Sequence, residues 1–402
     1  MVTIMSDTLI RRLLPAAALV LVLAAPVAAQ QEEEFASWRV PGWSVTPGLS
    51  IGAVRDNNVA LTAPEATAPP DADSLFAIEP FGSLEFRSPR TEFSTGYRGY
   101  MRRYMEISEL NGLDQRAHLA LRHHATRRLV IFVRDNYLDV PTTDEVELNG
   151  LPFVRTGSRT NSFQGGIEAR LTKFTDLITR YDLTWVDFED KGTLLTGGWV
   201  NGINTNLTHR VNARTSLGAE YSIRFADLNE GTRSMTFHDA GGVVSYALAE
   251  HTTFSAAAGV SHLADELLNE TRTAPYFRAS LMHRLETATI GTSYERSFVP
   301  SFGFGGSNES QEVRGFVHMP IPTNRAYVQG MVAWRRSIPF LSTALELDSI
   351  LTRATIGYAL ARWFRVEGFH AFTRQDSKVT GGEINRHRIG AQMVISRPMR
   401  IH

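Results

Sequence analysis

Residues 43–53, WSVTPGLSIGA, sort into two faces. Trp43, Val45, Pro47, Leu49, Ile51 and Ala53 fall on one, and Ser44, Thr46, Gly48, Ser50 and Gly52 on the other. Successive side chains of a strand point to opposite sides of its sheet, so the segment has an apolar and a wet face. Residues 215–225, TSLGAEYSIRF, repeat the pattern: Leu217, Ala219, Tyr221, Ile223 and Phe225 oppose Ser216, Gly218, Glu220, Ser222 and Arg224. About 9–11 tilted strand residues are enough to cross a bilayer.

Working outward, the rhythm gives eighteen strands in nine hairpins: 43–54, 74–87, 91–103, 112–125, 127–138, 161–172, 176–188, 195–208, 214–226, 236–249, 251–262, 273–285, 287–298, 311–319, 325–336, 347–360, 362–373 and 384–396. Without the two least regular segments, 195–208 and 311–319, the count is sixteen. Connections after odd strands are long or polar, as in 55–73, 139–160 and 299–310; those after even strands are short, as in Ser88-Pro89-Arg90 and Lys173-Phe174-Thr175. Long loops on one side and tight turns on the other characterise barrels that span the outer membrane, with the turns in the periplasm. The expected fold is all-β: a transmembrane antiparallel up-and-down β-barrel of about 18 strands. Aromatic residues near strand ends (Trp43, Tyr100, Tyr104, Tyr137, Trp185, Phe188, Trp199, Phe225, Phe237, Tyr276, Phe298, Trp334, Trp363 and Phe372) read as membrane-interface girdles.

Residues 1–29 read as a signal peptide for Sec export: Arg11 and Arg12, an apolar run from Leu13 to Leu23, then Val27-Ala28-Ala29 as a cleavage site. A short periplasmic lead follows (30–42), then the barrel (43–396) and a C-terminal tail (397–402). The chain has 402 residues, no cysteine and a formal net charge of −1. Cysteine's absence excludes disulfides, thiolate metal sites and a lipoprotein anchor. The near-zero charge gives no sign of a nucleic-acid partner. Lysine occurs only at 173, 191 and 378, and arginine supplies the rest of the 41 Lys and Arg residues. That suits the wall of a wet pore and equally a GC-rich genome.

If the apolar phase faces lipid, the other phase lines the bore. It carries Arg98, Arg102, Arg116, Arg122, Glu168, Arg170, Arg180, Asp182, Glu220, Arg224, Arg278, Arg314, Arg365 and Glu367. Charges are costly on the lipid side of such a strand and cheap on a hydrated wall. Two readings of this set stay open. One is a slightly electropositive passage for anionic or hydroxyl-rich solutes; the other is a structural lattice of Arg–carboxylate pairs that binds nothing. Sixteen to eighteen strands leave room for a channel, and the lead is too short to be a plug domain. The 139–160 loop is a candidate to fold inward as a constriction.

No motif points to catalysis, cofactor or metal. His123 and His124 are adjacent and point to opposite sides of a strand. His387 lies between Arg386 and Arg388, a poor place for a cation. Ser261-His262 and His238-Asp239 are neighbours along strands, which is not triad geometry. Gly303, Gly305 and Gly306 lack the lysine and following helix of a phosphate loop. Asp56-Asn57-Asn58 offer oxygens but are ordinary turn residues.

Three stretches carry a family resemblance. Trp43 to Gly52, Asp56-Asn57-Asn58-Val59-Ala60-Leu61 and Asp73 to Pro80 resemble the opening of the beta-barrel porin 2 family. The later hairpins, Leu171 to Leu177 and Tyr358 to Phe364, are similar in style. Arg55 stands where the family often has an aspartate. Arg388-x-Gly390-x-x-Met393-x-Ile395 resembles the C-terminal assembly signal of outer-membrane barrels, with Met and Ile in place of aromatics. These resemblances imply residence in a Gram-negative outer membrane among lipid and lipopolysaccharide, and insertion by the barrel-assembly machinery. They also imply passive export of an exopolysaccharide with a periplasmic polysaccharide-export partner. The alternatives from the residues are a general or selective diffusion porin, or a structural or adhesive surface barrel.

Overall fold

The computed structural model describes residues 42–63, 71–146, 148, 150–190, 195–229, 231–303, 305–321, 325–340, 346–377 and 382–401. The expected signal peptide and nearly all of the lead lie outside these residues.

The strands are β1 (Gly42–Asp56), β2 (Asp73–Arg87), β3 (Thr91–Tyr104), β4 (Gly112–His124), β5 (Leu129–Val140), β6 (Ser158–Arg170), β7 (Thr175–Phe188), β8 (Gly198–Arg210), β9 (Thr215–Leu228), β10 (Arg233–Ala249), β11 (Thr252–Asp265), β12 (Glu270–Arg284), β13 (Thr289–Pro300), β14 (Ser307–Pro320), β15 (Ala326–Pro339), β16 (Leu347–Ala361), β17 (Phe364–Ser377), β18 (Gly382–Ser396) and β19 (Met399–Ile401). From β1 to β18 each pairs antiparallel with the next, and β1 pairs with both β2 and β18, so the sheet closes on itself as an 18-strand barrel. Closure leaves no unpaired edge, which a strand needs where no water can satisfy its backbone. The short β19 continues along β1 past Pro398, with Trp43 opposite Ile401, so residues 399–401 extend the wall.

Register shows which face is which. Ile51 pairs with Ile78 and Ala53 with Phe76, while Ser50 pairs with Glu79 and Ser44 with Glu85. Across β8–β9, Ile203 meets Ile223 and Asn206 meets Glu220. The apolar set is turned outward: Ile203, Tyr221, Phe225, Ile356, Ile389 and Met393 are all exposed. A belt of this kind around the whole sheet exceeds the apolar patches that a water-soluble surface carries. This is the architecture of an outer-membrane barrel.

The aromatic residues divide. Trp43, Trp185, Trp199 and Phe225 are exposed on the outward face, as a girdle requires, and Trp363 is exposed in the turn between β16 and β17. Tyr104, Phe188, Phe237, Tyr276 and Phe298 are buried inside instead. Phe188, Phe237 and Phe298 pack with Val146, Leu151, Leu195 and Phe302 from the long connections, forming an apolar core inside the loop end of the barrel. Proximity to a strand end therefore does not by itself place an aromatic ring at the lipid interface.

Candidate functional site: a strap across the bore

The connection between β5 and β6 turns into the barrel. Thr143 ties its base: its N–H donates to Val154 O at 3.0 Å, and its hydroxyl donates to Pro152 O at 2.6 Å. Its Oγ1 also accepts from the Val154 N–H at 2.8 Å. A 3-10 turn, Thr143–Glu145, then presents two carboxylates to the wall. Arg386 of β18 reaches Asp144 at 2.9 Å and Asp56 of β1 at 2.6 Å. Glu145 is held between Arg388 of β18 at 2.5 Å and Arg116 of β4 at 2.8 Å. Burial pushes the Glu145 carboxyl up, but the Arg388, Arg116 and Arg386 guanidiniums outweigh it and hold it well below the ordinary carboxylate range.

Further along, the Phe153 N–H donates to Gln375 Oε1 of β17 at 2.7 Å, and Gln375 Nε2 donates to Leu151 O at 3.1 Å. Arg155 donates to Val59 O, in the β1–β2 connection, at 2.7 Å. At Gly150 the segment meets the β13–β14 side, where Ser301 Oγ donates to its carbonyl at 3.2 Å. That wall is eight strands round the 18-strand ring, nearly diametrically opposite the strap's origin. Gly150 has φ of 72°, and a Cβ there would come within 2.0 Å of the Asn308 side chain. Only glycine fits both the left-handed backbone and the close approach. The 139–160 segment is thus a strap across the bore.

The bore is unequally filled. On the β7–β11 side, the apolar core occupies the loop end. On the opposite side lies a cavity of about 1370 Å³ lined by residues of β1–β6 and β15–β18. Its lining includes Arg362, Trp363 and Pro398 near the turn end, and Glu145, Val146 and Leu148 of the strap. Ser44, Ser83, Arg98, Arg116, Gln329, Arg353, Thr355, Arg365, Glu367 and Gln392 line its wall.

Each of the fourteen charged residues singled out from the sequence has an oppositely charged partner. Arg98 pairs with Glu79 at 2.5 Å, Arg102 with Asp114 at 2.8 Å and Arg116 with Glu145 at 2.8 Å. Arg122 clamps Glu168 with two bonds of 2.6 and 2.7 Å. Arg170 reaches Asp176 at 3.4 Å and Arg180 reaches Asp182 at 2.8 Å. Arg224 pairs with Asp239 at 2.7 Å and Arg278 with Glu220 at 2.5 Å. Arg314 pairs with Glu312. Arg365 joins Glu367 at 2.5 Å, and Tyr327 and Gln392 also donate to Glu367. Of these, Arg98, Arg116, Arg365 and Glu367 line the large cavity.

Arg353 differs. It stacks over Phe369 at 5.2 Å and has no carboxylate within ion-pair distance among the described residues. Around the strap's contact with the wall, Arg98, Arg116, Arg353, Arg386 and Arg388 face Glu79, Asp56, Asp144 and Glu145. Five cations against four anions leave one positive charge in excess there. The sequence reading missed Arg386, the strap's main anchor. Its only signal was an arginine among the turned-in residues of the last strand, beside Arg388.

Asp56-Asn57-Asn58 prove to be occupied by the protein itself. The Asp56 carboxylate belongs to Arg386, Asn57 accepts from the His387 N–H, and Asn58 donates to Thr62 O and Asn385 O. Ser261 donates to Asp239 at 2.5 Å inside the barrel, while His238 and His262 lie on the outward face with Tyr221 and Thr273. The histidines are thus on the wrong side of the sheet to activate Ser261.

No protein-family model matches the chain, and no curated protein matches it in sequence. Solved structures resemble it in fold. Acinetobacter baumannii OccAB4 is 9% identical, with 89% of this chain and 98% of that chain covered at a TM-score of 0.47. Pseudomonas aeruginosa OpdQ is 9% identical over 90% and 98%, at 0.44. Pseudomonas aeruginosa OpdK, solved with vanillate, is 11% identical over 88% and 99%, at 0.43.

Proposed function

We propose that this protein is a passive outer-membrane channel selective for small anionic or hydroxyl-rich solutes. The observation that carries the reading is the strap, which narrows an 18-strand bore to an off-centre passage. That passage ends beside Arg353, a cation with no carboxylate partner among the described residues. Ion pairs close most of the other charges on the cavity wall, and Arg362, also without a carboxylate partner among the described residues, lies apart at the turn end. Arg353 is then the group that an anion meets at the strap, and serines, threonines and glutamines of the same cavity offer hydrogen bonds to hydroxyls. A low-dielectric constriction magnifies the effect of one unpaired charge.

Export of an exopolysaccharide with a periplasmic partner, the role implied by the porin 2 resemblance, needs a wider path. The strap would have to release Arg386, Arg388 and Gln375 together to open one. A selective pore needs no such movement, and we favour it for that reason.

Planar bilayers separated by a KCl gradient test the reading. The protein should give a reversal potential of the sign for chloride preference, and R353Q should move it toward zero. Cation preference in the unaltered protein would refute it.

A further inference from the structure

Three hairpins carry the same device on their outward face at the turn end. Thr91 Oγ1 is 2.9 Å from His123 Nδ1, Thr175 Oγ1 is 3.0 Å from His209 Nδ1, and Thr252 Oγ1 is 2.7 Å from His283 Nδ1. In each case the two residues are directly opposed across the ladder. The device recurs every fourth strand, on β3–β4, β7–β8 and β11–β12. One outward step toward the membrane centre, the opposed residues are Phe93 and Leu121, Leu177 and Leu207, and Phe254 and Leu281. Beyond each pair exposed cations stand at the turn rim: Arg90 and Lys173 in the turns, and Arg210 and Arg284 at the last positions of β8 and β12, on the inward phase of their strands.

An apolar pair on one side and a cation on the other mark the boundary between acyl chains and headgroups. Nδ1 is occupied by the threonine hydroxyl. When that hydroxyl donates, the ring proton sits on Nε2, the remaining hydrogen-bonding position. We propose that the three Thr–His pairs are clamps for the phosphate of phospholipid headgroups in the periplasmic leaflet. Nε2–H donates to a phosphodiester oxygen, the rim cation neutralises its charge, and the apolar pair receives the acyl chain. The proposal rests on the membrane-spanning reading of the barrel but not on its solute selectivity. His262 and Thr273 make the same contact at 2.9 Å toward the loop end. There the adjacent cation, Arg272, is taken up by Glu270 at 3.1 Å and stacks over Phe340 at 4.5 Å, and the connection holds Glu266, so this pair serves as an internal control.

Native mass spectrometry of the full chain, folded in detergent with dioleoyl phosphatidylglycerol, counts retained lipid directly. The unaltered protein should retain up to three molecules, one per pair. H123F/H209F/H283F, which keeps ring area and removes the donor, should lose them, and H262F should not. Inorganic phosphate alone should neither remain bound nor displace the lipid, because it lacks the acyl contact. Retention of no lipid by the unaltered protein, or equal retention by the triple variant, would overturn the proposal. If the triple variant loses heat-modifiable gel mobility, R90Q/K173Q/R210Q/R284Q at the exposed turn rim replaces it, with the same expected loss. Bilayer conductance is read in parallel: lipid retained by a barrel that conducts nothing supports the clamps while refuting the channel.

Discussion

Arg386 Nη1 donates to both carboxylate oxygens of Asp144, at 2.9 and 3.0 Å, across 242 positions of chain. Both side chains are almost wholly buried, and Asp56 binds the same guanidinium from the first strand. One arginine thereby fastens the strap to the seam where the last strand meets the first.

Breaking that contact should free the strap. Removing one partner of a buried ion pair typically costs about 3–5 kcal/mol, because the other charge is stranded. Asp56 remains to hold Arg386, so D144A should fall at the low end of that range. Denaturant unfolding in detergent would measure the loss, and single-channel recordings should show larger, noisier steps.

Acid should act on the same segment through Glu145. Its carboxyl is held below the ordinary range by Arg388 and Arg116 once burial is overcome. A depressed value means the stabilisation is complete above the unfolded-state value and is lost as pH falls through the folded one. Conductance should therefore be level from neutral pH down through the ordinary carboxylate range, then rise in stronger acid. E145Q should show the raised conductance already at neutral pH. A step near pH 6 to 7 would instead implicate a group other than Glu145.

Sidedness has its own test. Ile223 points outward opposite Ile203, and Ser222 points inward opposite Asn204 and Asp239. I223R should impair assembly by about 2–4 kcal/mol near the bilayer midplane, whereas S222R should fold, with its new cation close to Asp239. Heat-modifiable gel mobility reads both. Equal damage would mean the register is wrong.

Much of the fold was legible in the sequence, because burial on one face writes a period of two into every strand. All eighteen spans correspond to observed strands, including 195–208 and 311–319, seen as Gly198–Arg210 and Ser307–Pro320. The boundary errors have a cause. Ser307 to Ser310 and Ser158 to Thr160 are polar residues in strand extensions beyond the membrane, where neither face needs to be apolar. The inward loop was legible only as unusual length. What pins it, Asp144 to Arg386 and Gln375 to the Leu151 carbonyl, joins residues more than two hundred positions apart, and no local pattern marks such pairs. Val146, Leu151 and Phe302 read as loop residues because their apolar partners come from other connections and from the far wall.

A strap that narrows a hydrated bore should limit its conductance. Deleting 143–154 and bridging the gap with a short Gly-Ser linker tests it most directly in planar bilayers. Small steps are expected from the unaltered protein, and severalfold larger, less ion-selective steps from the deletion. Equal conductance from the two, with both barrels folded, would contradict it.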